Sequence, residues 1–191
     1  MRNLIKRISA LLLCLLLVLS LAVTALAEEA KGTDEAAAAE EGTTLRILRQ
    51  KQFLDFAENC RLDSYSRNLS VVLLTDIDLT GVDFAGIPIF CGNFDGNGHT
   101  ISGLSITQDG SNMGLFRYVD SSAVIQNLTV SGEIIPDGSR SAVGGIAGHN
   151  AGKIQNCFFD GTVSGSDDVG GIAGINAITG ITVSYTHLRA H

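Results

Sequence analysis

A six-residue pattern recurs in this chain: Ile101-Ser-Gly-Leu-Ser-Ile106, Ile125-Gln-Asn-Leu-Thr-Val130 and Ile154-Gln-Asn-Cys-Phe-Phe159. A glycine-rich pattern keeps step with it: Gly114-Leu115-Phe116, Gly144-Gly-Ile-Ala-Gly148 and Gly170-Gly-Ile-Ala-Gly174. Repetition at this period describes stacked supersecondary units, each unable to bury its apolar side alone. A chain of this kind folds as a solenoid, which supplies surface and length before chemistry.

The six-residue pattern is apolar at its first, fourth and sixth positions. Strict strand alternation would put the first and fourth on opposite faces. They share a face only if the backbone turns between them. The third position holds Gly103, Asn127 and Asn156, the residue types that enter the left-handed region most cheaply. Each copy therefore reads as strand, one-residue corner, strand. Three inward columns are expected: Ile101/Ile125/Ile154, Leu104/Leu128/Cys157 and Ile106/Val130/Phe159. The copies start 24 and 29 residues apart, about one turn of a parallel β-helix with loops of variable length. Leu115, Ile146 and Ile172 form a further column, and the glycines beside them, Gly145, Gly148, Gly171 and Gly174, allow close backbone approach or positive φ. Asn150 and Asn176 follow at matching places and suit turns. The alternative is an antiparallel sandwich with glycine-rich turns; two motifs in phase across three copies favour the solenoid.

Gly-Gly-Ile-Ala-Gly, twice, each followed by Asn, resembles the GLUG motif of bacterial surface proteins. Phe94-Asp-Gly-Asn-Gly-His-Thr-Ile-Ser-Gly-Leu104 resembles the turn that often precedes such repeats. The resemblance covers about residues 44–182. It implies a right-handed parallel β-helix on an exported protein, and says little about activity. The family also occurs as an accessory region of large surface proteins, including IgA-protease-type metallopeptidases. Phe116 departs from the motif, standing where the other copies have a small residue, as in an edge variant.

The N-terminus reads as a secretory signal. Arg2, Lys6 and Arg7 precede an apolar run from Ile8 to Val23, and Ala25-Leu-Ala27 is a small-x-small cleavage site, so residues 1–27 are expected to be removed. Residues 28–43 lack large apolar side chains and read as an acidic disordered spacer. Beyond the signal, and without Arg189, nine basic residues face twenty acidic ones, a charge near −11. That argues against nucleic acid and anionic membranes as partners. No membrane span is expected in the mature chain.

Leu45 to Cys60 carries helix formers, with Phe53, Leu54 and Ala57 at helical spacing, and is expected to form an N-terminal capping helix. Val71–Leu74 and Ile77–Leu79 read as the first strands. Val183-Ser-Tyr-Thr-His-Leu-Arg-Ala-His191 breaks every column. It is also the translation of GTC TCT TAT ACA CAT CTC CGA GCC CAC, a string resembling a transposase adapter used in DNA library preparation. Residues 183–191 are thus read as a non-native tail, and residues 44–182 as a truncated solenoid whose remaining polypeptide is missing.

Candidate chemistry is sparse. Export permits disulfides, and Cys60 with Cys91 could staple the cap to the first turn. Cys157 occupies an inward column and reads as a small buried apolar residue. Asp76, Asp78 and Asp83 are weak calcium candidates, since calcium needs six to eight oxygens and their spacing fits no calcium loop. Asp95-Gly-Asn-Gly98 has the composition of a tight turn. His99 and His149 read as turn or surface residues, and no hydrolase or phosphate-loop motif is present. The expectation is a secreted, extracellular or wall-associated module without catalysis or cofactor. It would be a stalk, or an adhesive face for cell-wall or host glycans or proteins, with loop 136–140 a candidate contact. The alternative is part of a surface enzyme, either a carbohydrate-active β-helix or the protease accessory region.

Overall fold

The computed structural model describes residues 43–138 and 141–188. The expected signal (1–27) and all but Thr43 of the spacer lie outside these residues. So do Ser139, Arg140 and residues 189–191. No helix among the described residues is long and apolar enough to cross a membrane.

The chain is a parallel β-solenoid of about 5 turns with one short helix. Strand β1 (Thr44–Ile47) leads into α1 (Gln50–Asn59). The turns follow as β2 (Ser70–Leu73), β3 (Ile77–Asp78) and β4 (Ile87–Phe90); then β5 (Asn93–Asp95), β6 (Thr100–Ile106) and β7 (Phe116–Val119). Next come β8 (Val124–Gln126), β9 (Thr129–Ile134), β10 (Ser141–Gly144) and β11 (Ala147–Asn150). The last are β12 (Lys153–Val163), β13 (Asp167–Gly170), β14 (Ala173–Asn176) and β15 (Ile181–Leu188). Every strand pair is parallel, so each turn hydrogen-bonds to the same part of the next.

Three faces carry the ladders. The first runs β1, β2, β5, β8, β12 and β15, and its column Val71/Phe94/Ile125/Ile154 is fully buried. The second runs β3, β6, β9 and the later half of β12, with Ile77/Ile101/Val130/Phe159 inside. The third runs β4, β7, β11 and β14. A short pair, β10 with β13, closes part of the remaining side. Leu115, Ile146 and Ile172 stack as expected, at 0%, 0% and 7% exposure. Each fully buried Ile or Phe contributes about 1.5–3 kcal/mol relative to exposure.

The first copy of the six-residue pattern is out of phase with the other two. Ile101 pairs with Val130, not with Ile125, and Phe94 is the residue that pairs with Ile125. The cause is the Asp95–Gly98 turn. Seven positions separate Phe94 from Ile101 where five separate Ile125 from Val130. Leu104 therefore pairs with Gly132, and Ile106 with Ile134. Gly103 is not the equivalent of Asn127 and Asn156. It marks a bulge in β6 with φ +69°, where a Cβ would stand 2.4 Å from Thr80 Oγ1. Asn127 and Asn156, with φ of 54° and 50°, do turn the corner between first and second faces. Leu128 and Cys157, just after them, are buried as their column requires.

The glycine-rich motif works by close approach. A Cβ on Gly145 would stand 2.3 Å from the Phe159 ring and 2.4 Å from the Gly171 carbonyl. One on Gly148 would meet the Asn112 backbone at 2.2 Å, and one on Gly174 the Ala142 backbone at 2.4 Å. Gly171 supplies the carbonyl that Gly145 accommodates. Near the first turns large aromatic side chains fill the core: Phe90, Phe94 and Phe116 pack with ring centroids 5.4–6.2 Å apart.

Helix α1 caps these aromatics with Phe53, Phe56 and Ala57. Phe56 lies 6.0 Å from both Phe90 and Phe94. The stretch before it is not helical, contrary to expectation. Residues 44–47 pair with β2, with Ile47 buried and Thr44 and Arg46 exposed, because a period of two there matches the ladder better than helix propensity matches anything nearby. At the other end, β15 pairs with both halves of β12 although its sequence breaks the columns. Backbone pairing asks nothing of side chains: Thr182 stands over Ile154, and Val183 and Tyr185 are 62% and 74% exposed.

Candidate functional site

The corner between the first two faces holds the densest polar network. The Asn156 side-chain amide donates to Asn127 Oδ1 at 2.7 Å, and the Asn127 amide donates to Asp95 Oδ1 at 3.0 Å. One residue earlier, Gln155 donates to Gln126 Oε1 at 2.8 Å and Gln126 donates to Asp95 Oδ2 at 2.9 Å. Two amide ladders thus run up the solenoid and both end on one carboxylate. The Asn97 backbone N–H also donates to Asp95 Oδ1 at 2.8 Å, making the predicted tight turn. Burial alone would raise the Asp95 carboxyl; donation from Asn127, Asn97 and Gln126 outweighs it and holds the group below its usual range. Sequence reasoning read Asp95 only as a turn former. The signal for more was an acceptor-only residue at the strand position that holds Gln in the next two turns.

The three calcium candidates do not converge. Asp76 accepts the Thr100 N–H at 2.9 Å and faces His99 Nδ1 at 3.1 Å. Its carboxyl is held low, chiefly by Thr100 and then by His99. Asp78 accepts the Thr80 N–H at 2.9 Å, and the Thr80 side chain, followed by that N–H, holds it low as well. Asp83 accepts from Gln108, on another part of the surface. Among the described residues no three His, Cys, Asp or Glu side chains gather as a metal would need. Each carboxylate is used instead to satisfy a backbone or side-chain donor of its own turn or the next.

Asp83 and Gln108 line an open groove of about 890 Å³ beside α1, with Leu54, Glu58, Arg61 and Arg117. Glu58 is paired with Arg61 at 2.9 Å. Elsewhere, on the outer side of the third face, Tyr118 and His149 stand in register on neighbouring strands, their rings stacked at 4.8 Å.

Cys60, Cys91 and Cys157 are buried free thiols, so the structure does not join Cys60 to Cys91. Burial, with a smaller contribution from Cys91, pushes Cys60 up to about 12. Burial pushes Cys157 up to about 11 and raises Cys91. Thiols held this far from ionisation are poor nucleophiles and poor metal ligands.

A parallel solenoid with stacked Gly-Gly-Ile-Ala-Gly turns and internal amide ladders is a repeat architecture. Residues 139–164 match the family described as the GLUG motif. Over 86 residues it is 44% identical to halomucin of Haloquadratum walsbyi, a match covering 44% of this chain and 1% of that protein. Over 96 residues it is 34% identical to a protein of Evansella cellulosilytica described as a Gly-rich membrane protein, covering 44% of this chain and 11% of the relative. The chain thus spans a small part of the curated relatives it matches. No solved structure matches it significantly.

Proposed function

We propose that the chain is a non-catalytic, surface-associated repeat module: a stiff spacer or adhesive face within a larger exported protein. The observation that carries this reading is where the polar side chains go. Asp76, Asp78, Asp95, Asn127, Asn150 and Asn156 hold the chain together within and between turns, through bonds of 2.7–3.0 Å. Side chains bonded in this way rigidify the stack of turns. The relatives named as halomucin and a Gly-rich membrane protein support a place at the cell surface. The expected signal at residues 1–27 supports export by the same route.

Cell fractionation with an antibody against residues 44–182 tests the location: signal confined to the cytoplasm sinks the reading. A glycan and host-protein array tests the adhesive face, and absence of binding by the purified protein leaves only the spacer. Depolymerisation of polyuronates that is lost in Asp76→Ala or Asp78→Ala would replace the reading with a carbohydrate-active enzyme.

A further inference from the structure

The groove beside α1 holds a guanidinium that the fold positions and leaves half used. It is lined by α1, by residues 82–86 between β3 and β4, by Pro88, and by Gln108 and Arg117 of the next turn. Arg117 is flanked by Phe116 and Tyr118, which pair with Ile87 and Ile89, so it stands beside Pro88. Its stem runs back across Gly86. A Cβ there would stand 3.0 Å from Arg117 Cγ and 2.5 Å from the Gly114 carbonyl, at a φ of +86°. Glycine leaves that space open. Nη2 donates to the Ser111 carbonyl at 3.2 Å, which fixes the plane of the guanidinium. Arg117 makes no ion pair among the described residues. The carboxylates that share the groove are already engaged: Asp55 by Lys51 at 2.7 Å, Glu58 by Arg61 at 2.9 Å, and Asp83 by the Gln108 amide. Gln108 Oε1, in turn, is shut off from solvent and receives no donor among the described residues.

We propose that this groove binds a neutral, hydroxyl-rich ligand, a short oligosaccharide, with Arg117, Asp83 and Gln108 as its polar contacts. This rests on the adhesive half of the function proposed above and gives it a place and a ligand class. Charge selects neutrality. With Asp55 and Glu58 offset by their ion-pair partners, one positive Arg117 and one negative Asp83 remain, and Gln108, the partner of Asp83, carries no charge. Asp83 would repel an anionic ligand and Arg117 a cationic one. The donors and acceptors select hydroxyls. The remaining guanidinium N–H groups lie in one plane and serve neighbouring acceptors, whereas the Asp83 carboxylate only accepts. Adjacent hydroxyls answer both demands, because each donates and accepts. A peptide carries its hydroxyls singly. Gln108 is half-buried, so its amide can turn toward a ligand hydroxyl, which relieves an acceptor left unsatisfied in the free protein. Leu54, Val82, Ala85 and Pro88 offer apolar surface to the C–H face of a sugar ring. The volume of about 890 Å³ lies within the range of small-molecule sites, about 300–1,000 Å³. Phe84 is only 5% exposed and offers no stacking face, so hydrogen bonds set the affinity and binding is weak.

The test titrates the purified, isotope-labelled chain, followed by amide NMR. The probes, at millimolar concentration, are neutral tetrasaccharides of glucose, galactose or mannose, a uronate tetrasaccharide, and a Ser/Gly peptide of similar length. Saturable shifts at residues 82–88, 108 and 117 are expected with at least one neutral tetrasaccharide, and weaker binding of the uronate and the peptide. Arg117→Ala should weaken binding roughly tenfold or more, with the far-ultraviolet circular dichroism unchanged. Arg117→Lys should not restore it, since an ammonium lacks the planar fork. Asp83→Asn should weaken it too, and Lys153→Ala, on the first face, should leave it unchanged. No shift at these residues with any neutral tetrasaccharide overturns the proposal. So does tighter binding of the uronate or the peptide, and so does undiminished affinity in the Arg117 and Asp83 variants. If Arg117→Ala does not fold, Arg117→Lys and Asp83→Asn decide on the same criterion. The glycan array keeps the two readings apart: glycan binding that Arg117→Ala retains in full leaves the adhesive face standing and removes the groove.

Discussion

Asp95 is the residue on which two ladders converge, and its removal is the sharpest test of their worth. Asp95→Ala leaves the Asn127 and Gln126 amides and the Asn97 N–H without their acceptor. A loss of about 1–3 kcal/mol is expected by urea denaturation. The pH dependence has a definite sign. The carboxyl is lowered in the fold, so its contribution is present above the unfolded value of about 3.9 and is lost as pH falls through the lower folded value. Wild type should therefore lose stability below about pH 4 more steeply than Asp95→Asn, in acid titrations followed by circular dichroism. Gly145→Ala should cost about 1–3 kcal/mol by overpacking against Phe159. Combining it with Phe159→Leu should recover only part, because the Gly171 carbonyl is also in the way. In the chain without residues 1–27, Cys60, Cys91 and Cys157 should resist a thiol reagent at pH 8 when folded and react on unfolding, since burial holds Cys60 at about 12 and Cys157 at about 11. Three reactive thiols after unfolding are expected; a single one would place a bond between Cys60 and Cys91.

Among the elements, α1 matters beyond its ten residues. It has no side-chain cap at Arg49 and no acidic residue in its first turn, so its stability comes from the face it buries. Phe56→Ala removes a ring that meets Phe53, Tyr65, Phe90 and Phe94. A loss of about 3–5 kcal/mol is expected, together with binding of a hydrophobic dye as the first turns open. Phe84→Ala, at a ring that meets Phe53 but lies in a loop and is 5% exposed, should cost less. Equal losses in thermal melts would show that α1 does not act as a cap through Phe56.

At the scale of the whole molecule, each turn touches only its neighbours, so stability is close to a sum of turn and interface contributions. The middle turns have partners on both sides, and the last has one. Unfolding is expected to begin at β13–β15 and move inward, with β8 and β9 exchanging slowest in hydrogen-exchange mass spectrometry. Simultaneous exchange of all turns would contradict this. A stiff repeat stabilised from within suits a spacer, because length can grow by whole turns without redesigning a core.

The repeat was legible because a stacked fold writes the same local demand many times. Columns such as Leu115/Ile146/Ile172 and corners such as Asn127 and Asn156 need nothing but their own turn's residues to be recognised. Two further readings failed for a common reason. Two inserted residues shift Ile101 from the Ile125 column to the next face, and β2 claims residues 45–47, where the local pattern favours helix. Register depends on which strand lies alongside, and no local pattern carries that information. The same holds for Asp95, whose role exists only because the next turn brings Asn127 and Gln126 to its two oxygens. Periodicity along the chain specifies what each turn is; contact between turns specifies which residues meet, and the polar network that stiffens the molecule belongs to the second.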